Sequence, residues 1–165
     1  MNPILNGSRV PGVPLGRLED NVLRTVSTER LFAYGNAVVM GIPGAFTPVC
    51  TQRHIPEFVQ SAERLTAAGY SHLVCIAPND PFVLDAWARQ VDPLSKIEFY
   101  SDGNLEFTRS LGLLEQVAHL YLGWRSSRYL MVTADGVIQR LRVEKDPVEY
   151  QCTRPQDILY PMSTA

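Results

Sequence analysis

Cys50 closes the segment Gly41-Ile-Pro-Gly-Ala-Phe-Thr-Pro-Val-Cys50, where an apolar run meets a helix start. Ala37–Ile42 is continuously apolar with β-branched residues, which predicts a buried strand. Pro43-Gly44-Ala45-Phe46 breaks it, and Thr47-Pro48 begins a helix with Thr as N-cap and Pro at the first helical position. Cys50 then falls in the first helical turn, among unpaired N–H groups at the positive end of the helix dipole. Such a place favours the thiolate, which is the nucleophilic form. A free thiol titrates near about 8.5, and each unit of lowering corresponds to about 1.4 kcal/mol. Thr47, three residues earlier, can aim its hydroxyl at the same sulfur. Position alone leaves a second reading open, a buried thiol packed as a small hydrophobe. His54 lies four residues on, along the same helical face; it either touches the site or, the favoured reading, bonds backbone structurally. Cys50 with His54 makes half a metal site at most, and no further ligand spacing completes it, so no metal is expected.

The elements that must position this cysteine follow from the patterning. Met1–Leu15 is rich in Pro, Gly and Asn and reads as an irregular surface segment, followed by a hairpin over Gly16–Val26. Ser27 or Thr28 caps a helical turn through Phe32. The helix begun at Thr47 should run to Ala68 and stop at Gly69. Its apolar stripe is Ile55, Phe58, Val59, Ala62 and Leu65, and Pro56 should kink it. His72–Ala77 is a second buried strand, and Asp80-Pro81 opens a second helix with Phe82, Val83, Ala86 and Trp87 on one face. A short strand at Ile97–Ser101 and a short helix at Asn104–Leu111 follow. Arg128–Thr133 and Val137–Val143 flank Ala134-Asp135-Gly136, a hairpin signal, and Pro155–Tyr160 is a last helix. This order predicts an α/β fold with a mixed central sheet flanked by helices, the thioredoxin-like architecture, as one domain over residues 1–165.

The 165 residues suit one domain, and 45% apolar with 19% charged residues excludes disorder. A net charge of 15 − 17 = −2 argues against nucleic acid or an anionic membrane surface as partner. Apolar runs reach about six residues, far below the roughly 20 of a membrane helix. The N-terminus carries no basic patch or apolar core of a signal peptide, and three cysteines without a Cys-x-x-Cys pair make no disulfide framework. A cytoplasmic, reducing setting is the expectation.

The Cys50 segment resembles the peroxidatic loop of the peroxiredoxins, Pro-x-x-x-Thr-x-x-Cys, here Pro43, Thr47 and Cys50. Its fuller spelling is similar to the type II, peroxiredoxin-5-like subfamily. The resemblance extends through His54-Ile-Pro56-Glu-Phe58, Asn79-Asp80-Pro81-Phe82-Val83, Ser101-Asp102-Gly103, Gly123-Trp-Arg-Ser-Ser-Arg128-Tyr129 and Asp135-Gly136-Val137. It implies a thiol-dependent peroxidase that reduces hydrogen peroxide and organic hydroperoxides to water and alcohols, in antioxidant defence and redox homeostasis. No cofactor is implied. Cys50 would become a sulfenic acid, with Thr47 and Arg128 activating it and holding the peroxide, and Pro43 shielding the sulfur. Gly44, Phe46, Leu120 and Leu122 would line the substrate site. Arg125 is either a direct contact or a supporting charge. The resemblance further implies a homodimer, with Phe46 and the Trp87 region in its packing.

Two cysteines match the two places where members of this family carry a resolving thiol. Cys75, 25 positions after Cys50, matches the plant-like branch, and Cys152 the mammalian-like branch. Cys152 is favoured because its polar segment should be mobile, whereas Cys75 lies in a predicted buried strand. Reduction by an external thiol alone stays open, as does the reductant: glutathione, glutaredoxin or thioredoxin. Two other classes compete. A cysteine hydrolase with His54 as base lacks an orienting third group. A redox sensor or thioredoxin-like binding module would use the same reactive Cys50 without turnover.

Overall fold

The computed structural model of the protein describes residues 6–160. A hairpin of β1 (Pro14–Glu19) and β2 (Val22–Ser27) turns at Asp20 and Asn21, both at positive φ. After the single turn α1 (Thr28–Leu31) come β3 (Asn36–Gly41), the long helix containing α2 (Ile55–Ala67), β4 (Tyr70–Ala77), α3 (Pro81–Val91) and β5 (Glu98–Ser101). Then follow α4 (Glu106–Ser110), a small ladder of β6 (Leu114–Gln116) and β7 (Trp124–Ser126), the hairpin β8 (Tyr129–Ala134) and β9 (Val137–Val143), and α5 (Gln156–Leu159). The seven-stranded sheet runs β2-β1-β5-β4-β3-β8-β9. β3, β4 and β5 are parallel, and the flanking strands are antiparallel. A mixed sheet flanked by helices in this order is the thioredoxin-like fold.

The period-2 alternation of the strands divides the core between the two faces. Val38 and Met40 of β3, Leu73 and Cys75 of β4 and Leu130 of β8 meet the buried stripe of α2, Ile55, Phe58, Ala62 and Leu65, on one face. Ala37, Val39, Val74, Ile76, Tyr129 and Met131 meet Phe32, Phe107 and Ile138 on the other. Gly41 ends β3 where any side chain would collide: a Cβ there would lie 1.8 Å from the Tyr129 ring. The ring can cover the strand end only because the residue is glycine.

Three expectations need correction, and one element went unread. The N-terminal segment is not irregular throughout: β1 begins at Pro14. Before it, Gly7 and Val10 donate backbone bonds to Ile138 and Gly136 of the last hairpin region, while Met1–Leu5 lie outside the described residues. Pro56 does not lie in the interior of an α-helix. The helix starts at Pro48 and widens into a π-helical turn over Cys50–His54, with the Ile55 N–H reaching back to Cys50 O. This wider turn precedes the proline, which occupies the first turn of α2, where its missing N–H costs least. In α3 the buried face is Leu84 and Trp87, not Phe82 and Val83, which are exposed. The ladder β6–β7 carried no signal, because three-residue strands hold too few alternations to read.

Candidate active site

β3 delivers the chain to the site and β8 brings the guanidinium. The two pair antiparallel with Gly41 opposite Tyr129, so Arg128, one residue earlier, sits where the chain leaves the sheet for the Cys50 loop. Asn79 Oδ1 accepts the Ala45 N–H at 2.7 Å and fixes this loop to the start of α3, where the Asp80 carboxylate caps Phe82 and Val83. Phe46 takes a positive φ of 61° at the bend.

Cys50 is wholly buried, and Arg128 is 1% exposed. Arg128 Nη1 lies 3.2 Å from Cys50 Sγ and 2.7 Å from His54 Nδ1. Its Nη2 donates to Pro147 O at 2.9 Å and its Nε to Glu149 O at 3.1 Å. Guanidinium has five N–H donors; these contacts use four and leave one, on Nη2. No carboxylate is among the acceptors, so the charge is not neutralised and faces the sulfur.

Thr47 departs from expectation. Its hydroxyl donates to Gly44 O at 2.6 Å rather than to the sulfur, because the loop folds the carbonyl back onto it. Oγ1 is left as an acceptor. His54 bonds the Arg128 side chain and not backbone. Burial first, and the neighbouring guanidinium second, hold it well below the usual histidine range. Its ring is therefore neutral, and Nδ1 accepts.

An apolar cleft of about 230 Å³ opens beside these groups, lined by Pro43, Thr47, Pro48, Val49, Leu120, Leu122, Arg128, Pro147 and Val148. Leu120 and Leu122 stand on its wall. Phe46 does not: it is half exposed and its ring packs 6.4 Å from Trp87. Gly44 serves through its carbonyl and its lack of a side chain, since a Cβ would lie 3.1 Å from Arg125 Nη1. Arg125 braces the wall, donating to Leu122 O at 2.8 Å and Pro43 O at 3.4 Å.

Of the other cysteines, Cys75 lies in a buried strand as expected, and Cys152 departs from expectation. Cys75 is fully buried in β4 and belongs to the same apolar cluster as Cys50. Burial, then the neighbouring Cys50, push its thiol well up. Cys152 is partly exposed but its segment is fastened. Glu144 Oε1 accepts the N–H groups of Gln151, Cys152 and Thr153 at 2.7, 2.8 and 3.1 Å, and the Thr153 hydroxyl at 2.9 Å. Burial alone would raise that carboxyl; the bonds from residues 151–153 hold it below the usual range. All three cysteines are free thiols, and no cluster of metal-ligating side chains exists among the described residues.

Sequence reading passed over the Pro147 and Glu149 carbonyls, since backbone acceptors leave no residue-type signal. It also passed over Tyr150, which stacks 4.8 Å from His54 and donates to Glu57 Oε2 at 2.8 Å. A buried thiol under an unneutralised guanidinium, beside an apolar cleft, is placed to attack a small polarised substrate.

Residues 6–156 match the family described as Redoxin. The chain is 34% identical over 160 residues to Peroxiredoxin-2B of Arabidopsis thaliana, covering 96% of this chain and 98% of that protein. Among solved structures it is similar to reduced Prx3 of Vibrio vulnificus in complex with hydrogen peroxide. That match has 32% identity and a TM-score of 0.89 and covers 94% of this chain and 97% of that one. Peroxiredoxin 5 of Alvinella pompejana matches at 33% identity and a TM-score of 0.79, over 87% and 92% of the two chains. This chain thus belongs to the Redoxin family as a type II peroxiredoxin, a thiol-dependent peroxidase.

Proposed function

We propose that Cys50 is the peroxidatic nucleophile of this peroxidase, with Thr47 and Arg128 holding the peroxide at its sulfur. The observation that carries this reading is the 3.2 Å approach of Arg128 Nη1 to the buried Cys50 Sγ. The thiolate attacks the nearer peroxide oxygen in line with the O–O bond. The S–O bond forms, the O–O bond breaks, and the leaving oxygen takes a proton as water or alcohol, leaving a sulfenic acid. Thr47 Oγ1, its own proton committed to Gly44, accepts the peroxide O–H. The free Nη2–H of Arg128 meets the charge growing on oxygen. Pro43 closes the site against water, and the apolar walls Leu120, Leu122 and Val148 suit organic hydroperoxides as well as hydrogen peroxide.

For resolution we infer Cys75 ahead of Cys152. The preference for Cys152 assumed a mobile segment, and Glu144 fastens that segment at four points. Cys75 shares the apolar cluster of Cys50, and the π-helical turn gives Cys50 the means to move. A disulfide needs Cα atoms within about 7 Å, so the first helical turn unwinds toward β4 while the sheet stays intact. The resulting protein disulfide suits a dithiol reductant of the thioredoxin class ahead of glutathione or glutaredoxin, and free thiols suit a reducing compartment such as the cytoplasm. Non-reducing peptide mapping after one equivalent of peroxide is expected to give a Cys50–Cys75 linkage. A Cys50–Cys152 peptide restores the other branch, a glutathione adduct on Cys50 means external resolution, and an unmodified Cys50 sinks the whole reading.

Exposed apolar side chains in or beside the segments that form the cleft, Phe46, Leu120, Tyr121, Trp124 and Val148, support a homodimer. Trp87 is wholly buried and takes no part in it. Sedimentation of the reduced protein at micromolar concentration is expected to give a dimer that shifts toward monomer in Trp124→Glu. A clean monomer for the parent chain overturns this.

A further inference from the structure

We propose that His54 is a positioning residue: its neutral Nδ1 fixes Arg128 Nη1 against the Cys50 sulfur without drawing off the guanidinium charge. The inference deepens the reading of Cys50 as nucleophile and rests on it.

Nη1 carries two hydrogens that diverge in the guanidinium plane. One points to Cys50 Sγ at 3.2 Å and the other to His54 Nδ1 at 2.7 Å. The far side of the guanidinium is held by the Pro147 and Glu149 carbonyls. Among the described residues His54 is thus the only anchor on the side that faces the sulfur. With that acceptor gone, Nη1 keeps a buried donor without a partner, and the guanidinium can swing away from the sulfur to satisfy it.

The identity of the acceptor matters as much as its place. A carboxylate there would pair with Arg128 and compete with the thiolate for the same charge. A neutral imidazole accepts the bond and leaves the charge available. Everything around His54 keeps it in that form. It is fully buried, Arg128 lies on it from the start of β8, Phe58 meets its ring at 5.5 Å from α2, and Tyr150 stacks on it at 4.8 Å from the segment after β9. Arg53 and Arg154 lie over the far partner, the Tyr150 ring, and the charge that acts on the imidazole is the Arg128 guanidinium, which opposes its protonation. Glu57, the carboxylate of this network, is taken up by the Tyr150 hydroxyl and Arg154. Among the described residues Nε2 has no hydrogen-bond partner, as expected of a ring held by one bond and two packed aromatics, one edge-on and one tilted.

The test compares His54→Asn with His54→Leu. The two replacements are nearly equal in size, but Asn Oδ1 can stand where Nδ1 stands, and Leu offers no acceptor. Two readouts are taken: the pH profile of Cys50 alkylation, followed by mass spectrometry of the Cys50 peptide, and the rate of peroxide reduction. His54→Leu is expected to move the alkylation profile to higher pH and to slow the peroxide step by about 10–100-fold, less than loss of a direct transition-state donor. His54→Asn is expected to recover most of both. Alkylation reports the Arg128–Cys50 geometry whether or not Cys50 turns over peroxide, so failure of this inference is distinct from failure of the functional reading. Unchanged alkylation and rate in His54→Leu overturn the proposal, as does an Asn variant no better than the Leu one. Should His54→Leu fail to fold, nitrogen-15 NMR of the parent protein decides. A neutral ring protonated on Nε2 at pH 7 supports the inference, and an imidazolium or an Nδ1–H tautomer overturns it.

Discussion

Cys50→Ser is expected to lose all peroxide reduction while keeping the fold. Serine differs from cysteine by one atom and enters the same buried position. Its hydroxyl can accept the Arg128 Nη1–H that now reaches the sulfur, so no polar atom is stranded. The cost to stability should stay near about 1–2 kcal/mol, for exchanging a soft thiol for a hydroxyl in an apolar cluster. The chemical loss is of another order. A serine hydroxyl is not appreciably ionised at neutral pH, and no general base stands beside it: His54 Nδ1 is already engaged by Arg128. The remaining cysteines cannot substitute. Burial and the neighbouring Cys50 push Cys75 up, and burial with Glu144 does the same to Cys152. Neither is joined to Arg128 or Thr47 by a hydrogen bond. The measurement is peroxide consumption with a dithiol reductant, alongside a thermal melt. Turnover above the protein-free background, from a variant that melts like the parent, would remove Cys50 from the centre of the reaction.

What could be read from the sequence was what is local in the chain. The buried strand before Pro43, the helix start at Thr47-Pro48, the Asp80 cap and the Asp135-Gly136 turn each depend on residues within four or five positions of one another. All appear where their chemistry puts them. What could not be read depends on long-range company. Whether the Thr47 hydroxyl meets the sulfur or Gly44 O is decided by the path of the loop, and that path is set by Asn79, 34 residues away from the Ala45 N–H it holds. The fastening of Cys152 was hidden because Glu144 reads as one more charge at a strand end; only in the fold does it take four donors from residues 151–153. Arg128 itself was legible only through the resemblance of its motif. Two of the four acceptors around it are main-chain carbonyls, which residue type does not reveal.

Arg128→Gln is expected to slow the peroxide step by about 10²–10³-fold, equivalent to about 2.7–4 kcal/mol of transition-state stabilisation. Three effects contribute. The charge facing Cys50 Sγ disappears, so less thiolate is present at neutral pH and its alkylation profile moves to higher pH. The donor left on Nη2 for the peroxide oxygen is lost. The carbonyls of Pro147 and Glu149 lose their partner, which loosens one wall of the cleft. Arg128→Lys separates the first effect from the others. Lysine keeps the charge, but a single ammonium cannot reach two carbonyls, the histidine and the sulfur in the geometry of a fork. If charge dominates, Lys should keep an alkylation profile near the parent while its peroxide rate falls, and Gln should lose both. If the fork matters mainly as a brace for residues 147–149, Lys and Gln should fall together and lose thermal stability together. A Gln variant with parent-like alkylation and parent-like rate would take Arg128 out of the site altogether, and with it the reason for burying a guanidinium against a thiol.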